Sequence, residues 1–211
     1  MKARGDDEGI RALSARTFSL TLLFSFGCCA VLFSCAAPFG ELLFHSETAG
    51  RYIRLLAPVV PVMFLDHMTD AILKGLGEQV AVMWINIADA ALSVVLTLLL
   101  LPPLGVPGFI LLIVLTEVFN FALSFARLRR TTGRVRLPFL FPLFSALLAC
   151  LVSRRWLSAG VATLPSLVLA CLSTAALYLL PALLLNPRGK QAQKKHITLD
   201  KKEKKRYNVK S

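Results

Sequence analysis

The chain is short of charge, and of acid above all. Only 17% of its 211 residues are charged, with 12 Asp and Glu against 24 Lys and Arg. Its five cysteines (Cys28, Cys29, Cys35, Cys150, Cys171) show neither a zinc-ligand spacing nor a secreted disulfide pattern. All lie in apolar blocks, where cysteine packs as a small hydrophobe. No nucleophile pattern appears, so no catalytic residue and no cofactor are expected. A cleavable signal peptide is not expected either: the first 16 residues are charged, and the apolar run behind them exceeds an h-region of roughly 7–15 residues.

What is present is apolar residue, 56% of the chain, where ordinary soluble domains hold about 45–50%. It comes in long blocks divided by short polar gaps, the pattern of a polytopic membrane protein. The expected fold is all-α, a bundle of six transmembrane helices over about 17–37, 53–74, 79–101, 107–127, 137–153 and 164–185. Each span is roughly 25–35 Å long, matching a hydrocarbon core of about 30 Å. Pro38 and Gly40 are expected to end the first helix, with a loop through Glu41, His45, Glu47 and Arg51. Pro58 and Pro61 should kink or break the second. Gly75 and Gly77 suit a helix stop and tight turn after Lys74. Pro102 and Pro103 should stop the third helix.

The chain so divides into a polar start (1–16), a four-helix portion (17–130), two further helices (131–186) and a basic, disordered tail (187–211). The tail holds ten of the 24 cations. It follows directly on an apolar helix, so anionic lipid headgroups, not nucleic acid, are its expected partner. With the amino terminus inside, twenty Lys and Arg lie inside and four outside, which places both termini in the cytoplasm.

The stretch 54–78, RLLAPVVPVMFLDHMTDAILKGLGE, organises the rest. It places Asp66, His67 and Asp70 inside a span, where ionisable groups are costly and usually functional. At about 1.5 Å per residue, Asp66 lies roughly 13 Å from the inner face, and Asp89 and Glu117 each roughly 15 Å deep. Three carboxylates on three successive helices therefore fall near the midplane. Helical spacing aligns Asp66, Asp70 and Lys74; then Asn86, Asp89, Ser93 and Thr97; then Glu117, Asn120, Ser124 and Arg127. These three helices are expected to line a polar interior, with the last two helices peripheral. No cation shares that depth. The acids must be protonated, hydrated, bound to a cation or paired with a group from elsewhere, and a proton-coupled role is one expectation. The alternative is that they only hold helices together. Asp70 and Lys74 are spaced as an intrahelical ion pair. Arg127, Arg129 and Arg130, in an arginine-rich loop, mark the inside and offer headgroup contact.

The segments YIRLLAPVVPVMFLDHMTDAILKGLGEQ and INIADAALSVVLTLLLLPPLGVPGFILLIVLTEVFNFALS resemble the stage V sporulation protein B group. These are polysaccharide-biosynthesis flippases of the multidrug/oligosaccharidyl-lipid/polysaccharide exporter superfamily, MATE-like in fold. Leu73-Lys74-Gly75-Leu76-Gly77-Glu78, Asn86 with Asp89, the Pro102–Gly108 turn, and Glu117 with Asn120 carry the resemblance, which covers about 17–130 well and the last two helices loosely. It implies a transporter of two six-helix lobes, often with two extra helices, that moves a lipid-linked saccharide across a bacterial cell membrane by alternating access. The six helices would match the last six of fourteen, so the chain reads as a C-terminal portion. A separate N-terminal lobe polypeptide or a second copy would then be its partner. The group supplies no ion motif to carry over, so Asp66, Asp70, Asn86, Asp89, Glu117 and Asn120 are pathway candidates by depth alone.

Two other classes compete. One is a structural membrane subunit or truncated remnant without transport activity. The other is an enzyme on lipid diphosphates, since Asp66 and Asp70 are spaced to hold Mg²⁺. That reading lacks the second acidic motif it needs, and no metal site and no enzyme activity are expected.

Overall fold

A computed structural model describes residues 7–133, 140–157 and 164–185. Every regular element among them is helical: α1 (Asp7–Ser34), α2 (Ala36–Phe44), α3 (Glu47–Leu56), a 3-10 turn (Ala57–Val59), α4 (Val60–Gly75), α5 (Gln79–Leu104), α6 (Val106–Thr132), α7 (Leu140–Leu157) and α8 (Leu164–Leu185). Four stretches are long and apolar enough to cross a bilayer: Ala12–Ser34, Glu47–Gly75, Gln79–Leu104 and Val106–Thr132. Leu140–Ser153 and Pro165–Leu179 are shorter apolar helices within the described residues. The described residues are all-α, as expected, with four helices of membrane-spanning length and two shorter apolar ones where six spans were expected.

The helix boundaries differ from expectation where proline was read as a stop. α1 breaks at Cys35, ahead of Pro38, and Pro38 sits in the first turn of α2. A first-turn proline is tolerated because its missing N–H would have no partner there. The expected loop through Glu41 and Glu47 is instead a helical hairpin. His45 closes α2 in the left-handed conformation, and Ser46 opens α3 by accepting from the Ala49 N–H at 3.3 Å. α2 and α3 cross so closely that a Cβ on Gly40 would lie 2.6 Å from Gly50 Cα. Pro58 and Pro61 do interrupt the second span, as a 3-10 turn between α3 and α4. Pro102 and Pro103, by contrast, lie inside the last turn of α5. Their fixed φ suits a helix, although each gives up an N–H bond and crowds the carbonyl four residues back. The stop comes at Gly105, whose N–H reaches back to Leu101 O at 2.8 Å.

α1 is central and packs on α4, α7 and α8, and α7 and α8 pack on each other; α4 packs on α6; α6 carries α5 at the edge. Phe18, Leu22, Leu65, Leu73, Leu76, Val82 and Leu128 make one apolar cluster, and Ala30, Ala146, Ala149 and Tyr178 a second around α1, α7 and α8. α5 was expected inside the polar interior and α7 and α8 at the periphery. The packing differs: α5 is the edge helix, none of its apolar window is buried, and α7 and α8 share the central helix α1. The cause is local. α5 meets α6 through Gly108, where a Cβ would run into the Leu100 carbonyl, so this pair closes tightly on itself. Arg134, Arg136 and the basic tail lie outside the described residues.

Candidate functional site

α4 and α6 run side by side in the same direction, and a polar seam joins them. Asn120 Nδ2 donates to Asp66 Oδ2 at 3.0 Å. One helical turn on, Ser124 Oγ donates to Asp70 Oδ1 at 2.8 Å. Both helices repeat at i, i+4, so two rungs align without any backbone adjustment. Beyond the end of α4 the seam closes with Arg127, whose Nη2 and Nε reach Glu78 Oε2 at 2.6 and 3.2 Å. Thr69, also buried between the rungs, turns its hydroxyl back to Leu65 O and takes no part.

The first rung is incomplete. Asp66 is 3% exposed, and its Oδ1 is buried without a partner; Asn120 Oδ1 is in the same condition. An ionised carboxylate oxygen and an amide carbonyl are both acceptors. Two buried acceptors with no donor are unfavourable, each costing about 1–3 kcal/mol. The arrangement calls for a proton, a cation or a donor hydroxyl at this rung. Asp66 lies within electrostatic reach of Asp70, Glu117, His67 and Asp89, and Glu117 within reach of His67 and Asp89. The three acids placed at one depth by sequence spacing therefore do stand near one another. His67, the neighbouring base, is exposed.

Asp89 is half-buried on α5, and its Oδ1 is a third buried oxygen without a partner. Asn86, one turn earlier, is exposed in an open groove of about 430 Å³ with Lys74, Gln79 and Met83. Asn86 thus opens to the edge of the bundle, whereas Asp89 is partly enclosed and within electrostatic reach of Asp66 and Glu117.

Several expectations change here. Asp70 does not pair with Lys74: its carboxylate takes the Ser124 hydroxyl, while Lys74 is exposed in the last turn of α4. Ser124, fixed and fully buried on α6, out-competes a flexible lysine that can stay in water. Arg127 and its neighbours are not in a loop, because α6 continues to Thr132. Arg127 is held by Glu78, whereas Arg129 and Arg130 are both exposed in the last turn of α6. The Glu78–Arg127 pair went unread in the sequence, although both residues fall at the inner end of adjacent spans with opposite charge.

The turn motif holds in part. Gly77 (φ 81) is the left-handed residue; the Glu78 N–H reaches Leu73 O at 3.0 Å and the Gly77 N–H reaches Lys74 O at 3.1 Å. That is a Schellman stop, and it delivers Glu78 to Arg127. Gly75 has an ordinary helical backbone with open space around it. Among the described residues, no three His, Cys, Asp or Glu side chains are grouped as metal ligands. Asp66 and Asp70 turn to different partners on α6, an arrangement unlike a shared Mg²⁺ clamp.

A family model described as MatE matches residues 3–99, from the start of the chain through most of α5. The match supports a MATE-like exporter relationship and a role in membrane transport, the coarser part of what the resemblance implies. α6, with Glu117, Asn120 and Ser124, lies beyond it. Neither the curated proteins nor the solved structures include a match to this chain.

Proposed function

We propose that this chain is the C-terminal part of a flippase-type exporter for lipid-linked oligosaccharides or cell-wall polysaccharide precursors. In this reading it sits in a bacterial cell membrane with both termini in the cytoplasm. One observation carries the proposal: Asp66 Oδ1 and Asn120 Oδ1 are buried at one rung with no donor between them. Polar groups that serve only as helix glue are normally satisfied within the bundle. Unsatisfied acceptors beside a kinked, proline-interrupted span fit a group that comes and goes, as transporter interiors require. Glu117 and Asp89 supply further charge at that level, and Asp70 and Asn86 extend the polar track toward Lys74. Arg129 and Arg130 hold the headgroup end.

The test is the pair Asp89→Asn and Glu117→Gln. Both keep side-chain shape and remove a titratable charge. In native membrane vesicles, each is expected to lower flipping of a fluorescent polyprenyl-linked saccharide by about tenfold or more, with unfolding unchanged. Normal flipping by both variants would mean that the acids are structural.

A second reading, a membrane subunit without transport of its own, draws on α5. A helix long enough to span a bilayer, with Asn86 on a face that the described residues leave uncovered, suits assembly with another polypeptide. Liposomes holding this chain together with a separate N-terminal lobe polypeptide separate the alternatives: flipping there that Asp66→Asn abolishes removes the subunit reading.

A further inference from the structure

The corner made by α1, α7 and α8 has no part in the seam, yet it holds every cysteine of the chain. Cys28 and Cys29 lie on α1, Cys35 just past its end, Cys150 on α7 and Cys171 on α8. Tyr178 sets the register of this corner. Its hydroxyl donates to Leu23 O at 2.7 Å, and its ring fills the space over Gly27, where a Cβ would lie 3.0 Å from Cε1. From that anchor the two helices run in opposite directions. Eight residues along α1 is Cys35, and four and seven residues back along α8 are Thr174 and Cys171. That register brings Cys35 and Cys171 to one level, where the two thiols lie within electrostatic reach of each other and Thr174 is close by. α7 completes the corner: Cys150 Sγ lies 3.7 Å from Ala30 O, and Ser153 Oγ donates to Thr174 Oγ1 at 3.1 Å.

We propose that Cys35 and Cys171 are a disulfide-forming pair, a modification site that staples α8 to the far end of α1. The two thiols differ in access. Cys35 is fully buried, whereas Cys171 is only half-buried. An external disulfide X–S–S–X therefore meets Cys171 first. The Cys171 sulfur bonds to one X sulfur and the other leaves as X–SH, taking the Cys171 proton. Cys35 sulfur then attacks the Cys171 sulfur of the mixed disulfide, and the second X–SH leaves with the Cys35 proton. Two thiols are oxidised and one external disulfide is reduced to two thiols. Cys150 is the nearest competitor, but its thiol is turned to the Ala30 carbonyl on α7's side of α1.

With the amino terminus inside, this end of α1 is the outer one, the side on which disulfides persist. The pairing itself rests on packing alone, so its test is independent of the transport reading. Membranes holding the full chain with Cys28, Cys29 and Cys150 replaced by alanine are treated with a lipid-permeant dipyridyl disulfide, blocked with N-ethylmaleimide, digested without reduction and weighed. The expected product is one peptide pair joined through Cys35 and Cys171, two hydrogens lighter than its separate parts and released by reduction. It should form roughly tenfold or more faster in the membrane than in denaturing detergent, because packing raises the effective concentration of the thiols. Cys171→Ser in this background should leave Cys35 unlinked. Overturning results are mixed pyridyl adducts on both cysteines without a link, a link only between two copies, or a rate no faster than in denaturing detergent. In the otherwise native chain, Cys35 joined to Cys150 instead would equally overturn the proposal.

Discussion

Asn120 on α6 donates to Asp66 on α4 at 3.0 Å, and the remaining side-chain oxygen of each is buried without a partner. The bond ties the helices; the orphaned acceptors beside it make the rung more than a tie. The bond should couple the two residues thermodynamically. A double-mutant cycle of Asp66→Ala and Asn120→Ala, read by detergent unfolding, is expected to give a coupling energy of about 0.6–2 kcal/mol. A coupling of zero would remove the rung.

The Glu78–Arg127 pair is partly exposed, with the arginine side chain 44% accessible. Its contribution should be small, about 1 kcal/mol or less, and screened by salt. Arg127→Glu is expected to lower the unfolding midpoint at low ionic strength, and the swap with Glu78→Arg to recover most of the loss. In molar salt the difference should nearly vanish.

Glycines in this chain divide sharply by surroundings. Gly108→Ala should disrupt the α5–α6 hairpin, because the added carbon meets the Leu100 carbonyl. Gly77→Ala should cost about 1 kcal/mol through its left-handed backbone. Gly75→Ala should be neutral or stabilise by up to about 1 kcal/mol, since its backbone is helical and the space around it open. Unfolding of the three variants under one condition checks the order.

Topology is tested by single cysteines in a cysteine-free chain. With the amino terminus inside, a cysteine at Gly105 should label with an impermeant thiol reagent on intact cells. One at Thr132 should label only after the cells are opened. The turn at Pro102–Pro107 carries no charge, whereas Arg127, Arg129 and Arg130 resist translocation. Labelling at Thr132 alone would invert the arrangement.

Much of this was legible before any coordinates. Apolar block length gave the four long spans, and i, i+4 spacing put Asp66 with Asp70 and Asn120 with Ser124 on facing stripes. Proline misled because position within a helix, not presence, decides its effect: Pro38 opens α2, and Pro102 and Pro103 ride in the last turn of α5. Asp70 was misassigned to Lys74 because sequence spacing sees only neighbours on one helix, while Ser124 is 54 residues away. The edge position of α5 was invisible, since a tight α5–α6 pair and an enclosed α5 share the same hydropathy. The nearness of Cys35 to Cys171 depends on the register set by Tyr178 over Gly27, which no local pattern reveals.

Asp66→Asn separates a transport site from helix glue most directly. The substitution keeps the acceptor that Asn120 Nδ2 bonds and adds an N–H able to satisfy Asn120 Oδ1. Flipping of a lipid-linked saccharide in native membrane vesicles and thermal unfolding are measured on the same preparation. Loss of flipping with unfolding unchanged or raised is the predicted result. Full flipping would contradict it, and the rung would then be structural alone.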